Sequence, residues 1–519
     1  MGRFMDVLTR FQPMRLHLGL QRTDSALVEA TAAQRILEST FGKQSREAAN
    51  GSVLLADIAR AAGDDVSAMT RYTEASRILA ETDMADSTGL VGALEGSALI
   101  LSESDTPSLA LPLFQRILTA ESRLHPIRAR EYARALMGRS SVLRAMTRFD
   151  SATAGFTEAR SWIDRHLPPQ HPLRAEPLVA LAGLARENGD LARARAYADT
   201  ALVLRRTSLD EDDPRIAESL HLLAVIEKDL GALDSARVLL RQGLATLGDR
   251  PSYERARAAM YNSLGLIARQ QGRPLEARQD FERSLSLGTG TAGEWRVRAL
   301  TLRNLGSLAN ARNEHLEASD RYRETLELLR LHGVSQSPEF ASVLLGLGNA
   351  QQGLGHFAQA ESLYRAALEV HTRILGPTHP LLALDHHNLA STLLQSGAYA
   401  AALDTALLAE DVSRRHLRLV IAGLTEREAL HYAAQRVSGL DVALTAAVHV
   451  PGAALWSRAW DGVIRSRALV LDEMADFVVD KCGADRGAAA EAFPEPARGV
   501  VFAAALPGAE LARGADAAL

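Results

Sequence analysis

Few residues in this 519-residue chain stand where they could do chemistry. The one cysteine, Cys482, lies in DKCGAD. A thiolate nucleophile needs a neighbouring base, and the flanking acids raise the thiol pKa instead. One cysteine also excludes an internal disulfide and any multi-cysteine zinc site. His379, His386 and His387 are close in sequence. A metal site wants donors one turn apart on one helix face, whereas two adjacent residues diverge by about 100°. His171 and His379 each precede a proline, so His-Pro is read as shaping a turn. No phosphate loop, dinucleotide-binding glycine pattern or Gly-x-Ser-x-Gly elbow is present. The expectation is a chain with no metal, no cofactor and no catalytic residue.

Composition narrows the choice further. The net charge is −5, with 58 basic and 63 acidic residues and no basic block, which argues against a general nucleic-acid surface. No stretch offers the roughly 18 uncharged apolar residues of a membrane span. The first 20 residues scatter arginines and hold no signal-peptide core, so the expected location is the cytoplasm. Hydrophobic residues make up 47% of the chain and aromatics 5%. Alanine and leucine dominate, which suits closely packed helices.

The elements that position any site are repeated. Pro338–His379 reads as two helices and a tight turn. Leu344, Leu347 and Gln351 share one stripe, and Gly353 and Gly355 break the helix. Phe357, Ala360, Tyr364, Ala367 and Leu368 form the next stripe, which Gly376 and Pro377 end. Such a hairpin cannot bury its own apolar faces and needs neighbours. The alanine opening each second stripe recurs as Ala68, Ala110, Ala152, Ala194, Ala236, Ala277, Ala318, Ala360 and Ala402, in steps of 41 or 42. Ala26 lies another 42 residues earlier and marks a degenerate tenth copy. Five residues before each alanine stands the turn: Gly63, Asp105, Thr147, Gly189, Gly231, Gly272, Asn313, Gly355 and Gly397. Four residues after it stands a large side chain in most copies: Tyr72, Phe114, Phe156, Leu240, Phe281, Tyr322 and Tyr364. Twelve before it stands a small one: Ala56, Ala98, Ser140, Ala182, Ala224, Gly265, Gly306, Gly348 and Ala390. Small residues let two helix axes approach and the aromatic fills the groove beside them. These aromatics are therefore core and not a stacking surface for bases. Pro172, Pro214, Pro338 and Pro380 recur nine residues before the first-helix leucine, at a helix start.

The pattern L-[GA]…G…A…[FY]…A resembles the tetratricopeptide repeat, and the 42-residue period looks like the kinesin-light-chain type. The resemblance covers roughly residues 50–412. It implies an all-α, right-handed superhelical solenoid of about nine repeats whose first helices line a concave face, where ligands of the family lie. Residues two before, two after and five after the first-helix leucine point inward. Those positions hold Arg186, Lys228 and Arg269, a row of cations, then Arg303, Ser307 and Asn310, Asn349 and Gln352, and His387 and Ser391. Asn304 and Asn388 precede their leucines, where an asparagine contacts the ligand backbone in some members. The implied ligand is a protein or an extended peptide, its backbone held by amides and its carboxylates by cations. Gly183, Val225 and Leu266 at other inward positions leave a carboxylate clamp unsupported.

The expected organisation is a capping segment over 1–50, the repeat array over 51–412, a helical connector over 413–480 and a disordered tail over 481–519. In the cap, helices are expected over Asp6–Leu20 and Asp24–Thr40. In the connector, Thr425 and Glu428 form a capping box, and residues 453–479 form a helix with Trp456, Trp460, Val463 and Val470 facing inward. LTEREAL, SGLDVAL and AWDGVIRSRALVLDEMA resemble the connector of bacterial proteins that join such repeats to a CHAT domain, a caspase-like peptidase fold. Only 39 residues follow Asp480, too few for that module, and a frameshift would leave such a tail. The leading expectation is a non-catalytic interaction scaffold. The alternative is the sensor half of a repeat–CHAT protease whose peptidase is truncated or supplied in trans.

Overall fold

A computed structural model of the chain describes residues 23–81, 88–102, 106–123, 127–287, 294–421, 436–450 and 455–466. Every regular element among them is helical. They fall into two compact units, Met1–Thr301 and Leu302–Leu519. In the first unit α1 (Thr23–Phe41) precedes six antiparallel hairpins. These are α2 (Arg46–Ala61) with α3 (Asp65–Glu81), α4 (Thr88–Ser102) with α5 (Ala110–Arg123), and α6 (Ala129–Ala145) with α7 (Phe149–His166). They continue as α8 (Glu176–Glu187) with α9 (Leu191–Ser208), α10 (Pro214–Asp229) with α11 (Leu233–Leu247), and α12 (Glu254–Gln270) with α13 (Pro274–Ser286). Helix α14 (Glu294–Ala311) carries the chain into the second unit. There follow α15 (His315–Leu331), α16 (Pro338–Gly353), α17 (Phe357–Leu375), α18 (Leu381–Gln395), α19 (Tyr399–Ile421), α20 (Leu440–His449) and a helix over 455–466, here α21. None of the helices described is long and apolar enough to cross a membrane.

The nine register alanines are all fully buried, and so is Ala26. The small-against-large contact is close. A Cβ built on Gly265 would lie 2.6 Å from the Phe281 ring, one on Gly306 3.0 Å from Tyr322, and one on Gly348 2.7 Å from Tyr364. Rings are also pinched from the next repeat, and Tyr322 is held by glycines on both sides. Cβ atoms on Gly96, Gly138 and Gly346 would come within 2.2, 2.2 and 2.4 Å of Tyr72, Phe114 and Tyr322. One aromatic thus fills the space between its own first helix and the following one, and glycine is the residue that leaves room for it.

The turn position is a conformational requirement. Every described residue in it has positive φ: Gly63, Gly189, Gly231, Gly272, Gly355 and Gly397, and also Thr147 (56°) and Asn313 (61°). Among the described residues, Thr147 and Asn313 are the non-glycine residues with positive φ. The next N–H then donates to the carbonyl five residues back, as in Arg148 to Leu143 and His356 to Gln351, both 2.9 Å, which closes the helix end. Gly353, expected to break its helix, is the last helical residue of α16. The break is at Gly355, because that is where the chain turns left-handed.

Pro214 and Pro338 open α10 and α16, Pro172 opens a 3-10 turn ahead of α8, and Pro380 caps α18. The His-Pro pairs at 171–172 and 379–380 shape turns as expected. The ring nitrogens Nδ1 of His171 and His379 accept from the N–H of Leu173 (3.2 Å) and Leu381 (3.3 Å).

At the end of the array the boundary expected at 412 falls inside α19, which runs 23 residues without interruption. Val442, Ala443, Ala446 and Ala447 of α20 bury themselves in one core with Leu389, Leu393, Leu403 and Ala406, where a further repeat would otherwise pack. Glu410, 3% exposed, holds this end together. It accepts from Arg436, from Ser438 Oγ (2.8 Å) and from Ser466 Oγ (2.6 Å). Trp456 and Trp460, expected to face inward, are 37% and 53% exposed. Ala459 between them is the buried residue, because a small side chain lets α21 lie close to the alanine-rich surface of α19 and α20. The helix expected over 6–20, Asp105, Thr425, Glu428, Val470, Cys482 and the tail lie outside the described residues.

Two stability predictions follow from these contacts. Ala360→Phe should overpack its hairpin and cost about 1–3 kcal/mol in urea unfolding; an unchanged midpoint would break the register. Thr147→Gly should raise stability by roughly 1 kcal/mol, because a β-branched residue is held left-handed there. A lower midpoint at unchanged m-value would show that Thr147 is not strained.

Candidate functional site

The residues at inward positions of the first helices are best taken unit by unit. In the first unit Arg186 ends α8, Lys228 ends α10 and Arg269 ends α12, each in the last turn, where cations also meet the helix dipole. Arg186 and Lys228 share one carboxylate. Arg186 Nη1 lies 3.0 Å from Asp229 Oδ2, and Lys228 Nζ lies 2.9 Å from Asp229 Oδ1. Partial burial pushes the Asp229 pKa up, but the hydrogen bonds from Lys228 and Arg186 outweigh it and hold the carboxyl below its ordinary value. Two cations and one anion leave a local charge near +1. Arg269 is exposed.

The matching position on α6 is Arg144, also exposed, with Nη1 only 3.3 Å from where a Cβ on Gly183 would stand. Gly183 therefore makes room for a neighbouring guanidinium. Arg144 was legible by the same count of residues, but its repeat has Arg139 in place of the reference leucine. His221 and Ser263, on α10 and α12, form a second contact that the spacing did not announce, with Nε2 to Oγ at 2.8 Å. Burial lowers the His221 pKa to about 4, so its imidazole is neutral near pH 7.

In the second unit most of the candidate amides are engaged. Arg303 reaches Glu339 only loosely, at 3.9 Å. Asn304 is buried, 5% exposed. Asn310 Nδ2 donates to Gly346 O at 2.9 Å and so ties α14 to α16. His387 Nδ1 donates to Ser438 O at 2.9 Å, and its ring is committed to the segment ahead of α20. Asn388 is half-buried and Asn349 exposed.

Asn349 and Gln352 are brought together by a residue assigned to the core. Tyr364 Oη lies 2.5 Å from Asn349 Oδ1 and 2.9 Å from Gln352 Oε1, and Gln352 Nε2 lies 3.5 Å from Ser391 Oγ. One hydroxyl proton cannot serve two carbonyl oxygens at once. Burial of the Tyr364 ring pushes its hydroxyl pKa up, so the proton stays. Tyr72 makes the same contact fifteen residues back, to Asp57 Oδ1 at 2.5 Å. A signal for this was present. Where the aromatic position holds Tyr, the residue fifteen before it is polar: Asp57, Ser307 or Asn349. Opposite Phe114, Leu240 and Phe281 it is Leu99, Val225 or Leu266. Phe156, opposite Ser141, departs from the rule. Tyr72 and Tyr364 are fully buried, and each hydroxyl ends on a polar side chain of its first helix.

Comparison with known proteins agrees with this geometry. A family model described as Tetratricopeptide repeat matches residues 173–247, 256–330 and 339–415, and each match spans two repeats. Protein KINESIN LIGHT CHAIN-RELATED 3 of Arabidopsis thaliana is 21% identical over 255 residues, covering 49% of this chain and 39% of that protein. Protein KINESIN LIGHT CHAIN-RELATED 1 of the same plant is 25% identical over 151 residues, covering 28% and 24%. The chain thus spans well under half the length of these curated relatives. Among solved structures, BtubC (BKLC) from P. vanneervenii is similar at 18% identity and a TM-score of 0.38, over 43% of this chain and 88% of that one. The apo form of RapI is similar at 14% identity and a TM-score of 0.40, over 51% and 91%. Residues 173–415 thus match the tetratricopeptide repeat, in register with the 42-residue hairpins that precede them, and these repeats are similar to those of kinesin-light-chain-related proteins.

Proposed function

We propose that this protein is a non-catalytic scaffold that takes a protein or an extended peptide against the concave face of its first helices. The observation that best supports this is the recurrence of peptide-binding groups at matching register positions of the first helices. In the first unit these are the cations Arg144, Arg186, Lys228 and Arg269. In the second they are the amides Asn349, Gln352 and Asn388. The cations suit carboxylates of the ligand, and the amides suit its backbone. Asp229 tempers the first group, and the single Tyr364 proton leaves one of two amide oxygens open to a donor on the ligand.

A second reading has one observation in its favour. Trp456 (37%), Trp460 (53%) and Ile464 (37%) leave apolar surface on α21, as a connector would if another module packed on it. On that reading the array is the sensor half of a CHAT-type protease, and the peptidase comes from elsewhere.

Two experiments test the leading reading. Partners captured from lysate by the full-length chain, identified by mass spectrometry, should fall at least about tenfold for R186E/K228E/R269E. They should rise for Asp229→Asn, which frees two cations. Unchanged capture by the triple variant would move the site away from the first helices. Tyr364→Phe should cost on the order of 1 kcal/mol of stability and alter the affinity of a captured peptide. A variant with unchanged affinity would remove Asn349 and Gln352 from the site.

A further inference from the structure

The position eleven residues after each register alanine lies where the second helix of one repeat packs on the first helix of the next. Among the described residues it is buried in every copy, yet its chemistry varies. In the degenerate first copy and the first, third, fifth and seventh repeats it is apolar: Leu37, Leu79, Ile163, Leu247 and Leu329, each at most 6% exposed, while the ninth and last repeat holds Ser413, also 6% exposed. In the second, fourth and eighth repeats it is Glu121, Arg205 and His371, with exposures of 0%, 1% and 3%. The sixth copy places it at Gly288, outside the described residues.

Each of the three polar residues is answered by the following first helix. Glu121 of α5 accepts both guanidinium arms of Arg128, the residue that caps α6, with Nε to Oε2 at 3.0 Å. Arg128 Nη1 also donates to Thr88 of α4 at 2.9 Å. Arg205 of α9 donates to the Arg215 carbonyl and to Ser219 Oγ (3.1 Å) on α10, and back to Glu176 Oε1 (2.9 Å) on α8. His371 of α17 meets Asp385 of α18, Nδ1 to Oδ2 at 2.7 Å, with both side chains buried. Ser219 and Asp385 each stand fourteen residues after their partner. At the same spacing Leu79 is followed by Ala93 in one shared core, and Leu37 Cδ1 lies 2.9 Å from where a Cβ on Gly51 would stand.

Repeats this alike have a packing problem. A second helix that fits the next first helix also nearly fits the one after it, or the same helix of another copy. With apolar contacts alone these arrangements are close in energy. We propose that the alternating position is a register code, in which the buried Glu121, Arg205 and His371 keep each repeat stacked on its chain neighbour. A slip by one repeat sets a buried charge or imidazole against an apolar surface. A slip by two sets Glu121 against the partners of Arg205, and the three polar centres differ in kind. Removing one partner of a buried pair is costly even where the intact pair adds little stability, so the device acts against mispairing more than for stability.

The test uses the full chain. In E121L/R205L/H371L/D385V the three buried charged or imidazole centres become apolar, the last taking the Leu–Val combination of Leu329 and Val343. Its melting temperature should stay within about 3 °C of the natural chain or exceed it. Monomer recovered after dilution from urea, read by size exclusion with light scattering, should fall about threefold in favour of dimers and larger species. Equal monomer recovery overturns the proposal. If the variant melts lower, the comparison passes to Glu121→Arg and E121R/R128E. The code requires the single exchange to lose monomer and the double exchange to regain it. A single exchange that refolds as monomer, or a double exchange no better than the single, overturns it.

Discussion

One contact organises this molecule: a large side chain, most often a ring, on most second helices, held against small residues of the first helices. Dispersion falls off steeply with distance, so a ring gripped on both sides gains far more than one against a loose wall. That requirement sets the rest. The axes must come close, so Ala or Gly stands opposite the ring at Gly265, Gly306 and Gly348, and again at Gly96, Gly138 and Gly346. The chain must reverse at once to bring the second helix back, so the turn residue is left-handed, even where it is Thr147 or Asn313. The hairpin still has two uncovered faces, so it must repeat.

A stack built this way has little room for polar groups except at the outer edge of the first helices and at the joints between repeats. At the edge, a tyrosine in place of phenylalanine carries a hydroxyl out of the core to Asp57 or Asn349. The ring packs the core and the buried hydroxyl holds a polar side chain of the first helix in place. At the joints, a buried carboxylate, guanidinium or imidazole must find its partner on the neighbouring repeat, because water is excluded there. The end of the array shows the same logic. Glu410 collects Arg436, Ser438 and Ser466, while α20 covers the alanines that would otherwise wait for another repeat.

What was legible in the sequence was whatever repeats. Ala68 to Ala402, the left-handed turns and the facing small and large residues could be counted, because one backbone geometry forces the same residue types at each copy. The outer residues were legible only as positions. Arg186, Lys228 and Arg269 stand at matching positions, but nothing in the count says that Asp229 lies between the first two. Asn310 and His387 occupy inward positions and are nevertheless spent on Gly346 and Ser438. A partner thirty-six or fifty-one residues away depends on how neighbouring helices cross, which periodicity does not carry. In a stack governed by close approach, the small Ala459 goes in and the large rings of Trp456 and Trp460 stay out.

The same reasoning separates stability from specificity in this chain. The apolar joints at Leu79, Ile163, Leu247 and Leu329 supply cohesion, and they do so without distinguishing one neighbour from another. The polar joints at Glu121, Arg205 and His371 add little cohesion, since the cost of drying a charge roughly offsets the attraction of its partner. Their effect lies in the arrangements they disfavour. An array of interchangeable parts needs both kinds of joint. Among the described joints, each apolar one from Leu79 to Leu329 stands beside a polar one that fixes its place in the order.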